Sequence, residues 1–150
     1  MKQKVTIEII GFLLILLFVY AALSKLLEYT TFRIQLGNSP FLKPFAGIVS
    51  WLVPSIELAI ALPITVKNTL KYGLLASLLL LSLFTFYVAG MLLSVASLPC
   101  GCGGIIRELG WGQHLVFNLF FVALNITGIL FQGKQKSREV VSKPATRFYN

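Results

Sequence analysis

The sequence predicts an all-α polytopic membrane protein built as a four-transmembrane-helix bundle. Three observations lead there. Of 150 residues, 57% are hydrophobic and only 12% are charged, about half the charge of an ordinary soluble domain. The mean hydropathy is +0.84. The apolar residues also fall into four long runs, each of a length that crosses the ~30 Å hydrocarbon core, with no stretch left over for a separate soluble domain.

The first span is read over residues 7–27, IEIIGFLLILLFVYAALSKLL. It follows a short basic start, and its apolar run exceeds a typical signal-peptide core, so it is expected to be a transmembrane helix and not a cleaved leader. Glu8 and Lys25 are expected near its two ends, with their charged tips reaching the interface. Tyr20 and Tyr29 suit interfacial positions. The connection that follows carries TTFRIQL, which suits a short interfacial helix. The second span, residues 45–66, contains Pro54, Glu57 and Pro63; each proline frees a carbonyl that a neighbour must satisfy. After a short turn at Asn68, the third span runs over residues 70–98, long enough to require tilt. A glycine-rich loop, PCGCGGIIRELGWG, leads into the fourth span at residues 111–131, and residues 132–150 form a basic tail.

Four spans place both termini on one side, together with the turn between spans two and three. That side carries Lys2, Lys4, Lys67, Lys71, Lys134, Lys136, Arg138, Lys143 and Arg147; the other carries Lys25, Arg33, Lys43 and Arg107. The positive-inside rule then predicts cytoplasmic termini in the plasma (inner) membrane and an extracytoplasmic glycine-rich loop. This distribution turns the net charge of +8 into a topology signal and a contact for anionic lipid, and away from nucleic acid.

Cys100 and Cys102 are the chain's two cysteines, both in the loop expected to face the oxidising compartment. Residues two apart point to opposite sides of a helix, so a mutual disulfide needs irregular backbone, which Pro99, Gly101, Gly103 and Gly104 favour. So small a ring would be strained and readily reduced, which suits exchange chemistry, and it would restrain little loop entropy. A passive oxidised pair and two free thiols stay open as alternatives. A metal site is not expected, because only His114 is nearby as a further ligand.

His114, Asn118 and Asn125 share one face of the fourth span at offsets of four and eleven. His114, next to the cysteine loop, suits proton transfer during thiol exchange or a cap on the helix interface. Glu57 lies about 18 Å below the outer end of its span and Asn125 about 21 Å below Trp111, by helical rise. Glu57 is read either as a group that handles protons or anchors a quinone-like headgroup, or as a packing residue bonded to Asn125 or to a proline-freed carbonyl. Asn118 and Asn125 join it as candidate cofactor-binding residues. Lys25 and Arg107, expected near the outer surface, are candidates to stabilise a thiolate.

Ser24-Lys25-Leu26, Pro54 with Glu57, and Cys100-Gly101-Cys102-Gly103, in this order, resemble the MauE branch of the MauE/DoxX family over residues 5–131. The family commonly has phenylalanine where this chain has Gly103. The resemblance implies a redox-associated inner-membrane protein. MauE proteins assist maturation of a disulfide-rich dehydrogenase subunit beside a thioredoxin-like partner, and DoxX relatives are linked to quinone reduction. The expected function is thiol–disulfide exchange through Cys100 and Cys102 with an extracytoplasmic thioredoxin-like or disulfide-containing client, His114 assisting, and a membrane quinone as candidate electron acceptor. Two rival readings are a small proton-coupled transporter using Glu57 and a non-catalytic assembly factor.

Overall fold

The computed structural model describes residues 2–94 and 111–142, with side chains over 3–93 and 112–135. The helices are α1 (Lys2–Leu27), α2 (Tyr29–Asn38), α3 (Ala46–Thr65), α4 (Leu70–Ser94) and α5 (Trp111–Ser142), with a 3-10 turn at Lys43–Phe45 before α3. Four apolar segments are long enough to span a bilayer: Gln3–Leu27, Lys43–Thr65, Leu70–Leu93 and Gly112–Gln135. The four-span reading therefore holds. α5 continues as helix to Ser142, into the segment read from sequence as tail.

The spanning helices close a ring. α1 packs against α3 and α5, and α4 packs against the same two. Side chains at helical spacing fill its centre: Ile10, Leu14 and Phe18 from α1, Ala61 and Ile64 from α3, and Leu74 and Leu81 from α4. The outward faces are apolar as well, with Phe12, Trp51, Leu79, Phe86 and Leu130 exposed, as expected of helices solvated by lipid.

The two ends of the bundle differ. At the end that holds the α3–α4 turn, the helices approach closely at two glycines. A Cβ on Gly73 would lie 2.8 Å from the Ile64 nitrogen, and one on Gly128 would lie 3.1 Å from the Ile10 side chain. The turn itself is fastened by the Thr69 hydroxyl, which donates to the Pro63 carbonyl at 3.0 Å, one of the last-turn carbonyls of α3 left without a helical partner. The opposite end is roofed by α2. Its Phe32 and Leu36 pack with Ala46, Leu42, Val49 and Val53, and the Tyr29 ring meets Trp51 at 5.2 Å. The TTFRIQL segment is thus helical, and it covers the end of α1.

Candidate functional site

Beneath that roof lies the most polar part of the core. Lys25, in the last turn of α1, does not reach to an interface. Helical side chains lean toward the N-terminus of their helix, and its ammonium runs back to donate to the Ala21 carbonyl at 3.3 Å. It then meets Glu57 Oε1 at 2.7 Å. The two side chains are 5% and 2% exposed, a buried ion pair. The Phe84 and Phe32 ring centroids lie 5.5 and 5.9 Å from the same ammonium, within the range of cation–π attraction.

Two expectations change here. Lys25 was placed at the outer surface as a stabiliser of a thiolate; α2 and Phe32 bury it, and Glu57 neutralises it. The packing alternative for Glu57 names Asn125 or a proline-freed carbonyl as its partner; the partner is Lys25. Asn125 is fully buried and is taken up by α4. With its amide oriented to suit its neighbours, Nδ2 donates to the Leu74 carbonyl at 3.1 Å, while Oδ1 accepts from the Ser77 hydroxyl at 2.6 Å and the Leu78 N–H at 3.0 Å. That geometry is a helix-to-helix clasp, and it meets the hydrogen-bonding capacity that a ligand would need.

His114 and Asn118 differ from Asn125. Each is 6% exposed, on the face of α5 turned into the bundle. His114 Nδ1 and Asn118 Nδ2 have no hydrogen-bond partner, nor does Glu57 Oε2. α5 begins at the end of the bundle where α1 finishes, and the two helices pack against each other, so the α5 pair lies toward the same end as Lys25. Buried polar atoms are rarely left unpaired; these three, on helices α3 and α5 of the same bundle, keep hydrogen-bonding capacity in reserve. Donor and acceptor are both represented, as a quinone-type headgroup with carbonyl or hydroxyl oxygens requires. The residues present therefore fit such a group.

Sequence reasoning placed Glu57, His114 and Asn118 among the candidates and gave Lys25 no role inside the site. Its Ser24-Lys25-Leu26 context was the available signal. Cys100, Cys102 and Arg107 lie outside the described residues, in the segment that joins α4 to α5. Among the described residues, no group of three or more His, Cys, Asp or Glu side chains comes together to hold a metal.

Four membrane-length helices around a buried lysine–glutamate pair define a polytopic α-helical membrane protein with a polar centre under one end. The model of the family described as methylamine utilisation protein MauE matches residues 3–131, and the chain belongs to that redox-associated membrane family. No curated protein matches it, and no solved structure does.

Proposed function

We propose that this protein is a membrane thiol–disulfide exchanger whose working pair is Cys100 and Cys102. The observation that carries this reading is the family match across all four spans, taken with a Cys-Gly-Cys element in the segment that leads into α5. His114 stands in the first turn of that helix with Nδ1 unpaired. This supports a role in holding a proton as a sulfur attacks or leaves.

In the proposed reaction, a thiolate of an extracytoplasmic thioredoxin-like or client protein attacks the Cys100–Cys102 disulfide. One S–S bond breaks, a mixed disulfide forms, and the released cysteine leaves as thiolate. The partner's second thiolate then attacks the mixed disulfide. The partner is left oxidised, and Cys100 and Cys102 are left as a dithiol. Return to the disulfide removes two electrons and two protons, which a membrane quinone accepts when bound. The chain's own part is to present the sulfurs, to hold a proton at His114, and to keep the site's charge balanced through Lys25 and Glu57.

The basic-residue asymmetry supports cytoplasmic termini and a cysteine segment on the outer face. The transport reading draws less support, because the core cluster of Leu14, Phe18 and Leu81 fills the bundle and Glu57 is held in an ion pair. The decisive experiment replaces Cys100 or Cys102 singly with serine and traps mixed disulfides in membranes. One variant is expected to accumulate a covalent adduct that reductant releases. If neither traps a partner and both keep full function, the exchange reading fails. Loss of function in Glu57→Gln with full function in a double cysteine variant would favour transport instead.

A further inference from the structure

We propose that the exposed side of the α2 roof and the start of α3 form a binding surface for one anionic phospholipid. Arg33 and Lys43 hold its phosphate, and an acyl chain lies along the exposed stripe of α3. The inference stands apart from the exchange reading and uses none of its residues.

Arg33 carries the placement. Phe32 and Leu36 turn toward Ala46 on α3, which leaves Arg33 on the exposed side of α2. Its guanidinium reaches the first turn of α3: a Cβ built on Gly47 would lie 3.9 Å from a guanidinium nitrogen and meet no other described side chain within 4 Å. The glycine thus leaves the space beside the guanidinium open. Lys43 is exposed on the 3-10 turn that leads into α3, and that turn packs against α2. Both cations therefore stand at one end of α3. Among the described residues neither forms an ion pair, and the buried carboxylate at this end, Glu57, is held by Lys25.

Three observations choose the ligand. The cations are set in hydrocarbon, since Ile34, Phe41 and Phe45 on the same segments are exposed. An acidic protein would match the charges alone, whereas a lipid matches the charges and the apolar surface between them. Depth agrees. Trp51, one turn below Gly47, is exposed and meets the Tyr29 ring at 5.2 Å, and such rings gather at headgroup level. Length agrees as well. The stripe continues from Gly47 through Trp51, Leu58 and Leu62, all exposed, at spacings of one helical face. Gly47 to Leu58 spans about 17 Å by helical rise, against ~15 Å for one leaflet's share of the ~30 Å hydrocarbon core. Two cations select a headgroup whose phosphate has no ammonium beside it, as in phosphatidylglycerol, because they repel the cation of a zwitterionic one. A bound phosphate also accounts for two unpaired cations on the side where the positive-inside rule disfavours them.

The test uses the full chain in bilayers, with Trp111→Phe leaving Trp51 as the sole tryptophan. Vesicles mix dioleoylphosphatidylcholine with dioleoylphosphatidylglycerol, and one lipid or the other carries brominated chains, which quench a tryptophan they touch. Brominated phosphatidylglycerol is expected to quench Trp51 beyond its mole fraction, a preference of about 3- to 10-fold, roughly the attraction of one or two cations. Arg33→Gln should bring the preference close to one, Arg33→Lys should keep part of it, and Lys43→Gln should lower it by less. Lys67→Gln, at the other end of the bundle, should leave it unchanged. Soluble glycerol 1-phosphate in millimolar excess should not displace the lipid, which separates a lipid surface from a phosphate site. Arg33→Lys and Lys43→Gln keep the test readable if Arg33→Gln fails to fold. Equal quenching by both lipids in the wild type would leave the cations to an acidic protein and overturn the proposal. So would a wild-type preference in the Arg33→Gln/Lys43→Gln protein, its equal loss in Lys67→Gln, or displacement by glycerol 1-phosphate.

Discussion

A lysine and a glutamate facing each other at 2.7 Å in the middle of an apolar bundle are costly to place there. Each gives up its hydration, and their attraction offsets that cost only when the remaining hydrogen bonds are good. Lys25 has such support from the Ala21 carbonyl and two aromatic rings; Glu57 Oε2 has none. An arrangement tuned for stability alone would satisfy that oxygen or replace both residues with hydrocarbon. We therefore expect Lys25→Met or Glu57→Leu alone to cost about 3–5 kcal/mol, by leaving an unmatched buried charge. The double variant should recover most of that stability, seen as thermal unfolding in detergent. Full stability in both single variants would show that the pair is open to water. Glu57 was legible in the sequence as the one acid deep inside an apolar run. Lys25 was not, because a lysine near a helix end ordinarily reaches outward, and its partner lies 32 positions away.

Helix packing depends on two devices at this scale, glycine contacts and the Asn125 clasp. The turn between α3 and α4 is so short that α4 must start against the backbone of α3, and Gly73 makes room for it. Gly73→Ala puts a methyl group on backbone atoms that cannot swing away, so a loss of about 1–3 kcal/mol is expected. Gly133→Ala, whose added Cβ would meet no atom within 4 Å, should be neutral or slightly stabilising. Comparing the melting temperatures of the two variants checks this. Asn125 joins α5 to α4 through Ser77 and two backbone groups. Asn125→Leu is expected to lower stability by about 0.6–2 kcal/mol, the range of hydrogen bonds between membrane helices. The sequence placed Asn125 beside Glu57 by counting rise along two helices. Depth along a straight helix says nothing about which neighbour a side chain faces, and the Ser77 hydroxyl on α4 claimed it.

Over the whole molecule, the two ends are chemically unequal: one is closed by glycine contacts and hydrocarbon, the other holds the ion pair under α2. The proposed orientation puts the second end outward. A fluorescent protein fused after Asn150 should then fold and glow, and alkaline phosphatase inserted at the connection between α2 and α3 should be active; the opposite pattern would reverse the topology. The number of spans, their order and the charge asymmetry were determined by the sequence by itself. Burial in lipid demands long apolar runs, and these are local properties that can be read along the chain. The Cys-Gly-Cys element and the buried acid were visible for a similar reason, since each stands out against an apolar or glycine-rich background. Tertiary packing alone settles that Lys25 turns inward, that Lys25 and not Asn125 is the neighbour of Glu57, and that His114 and Asn118 keep unspent hydrogen bonds inside the bundle. Those facts depend on how four nearly uniform apolar cylinders rotate against one another, and their rotation is set by the glycine contacts, the Asn125 clasp and the α2 roof acting together.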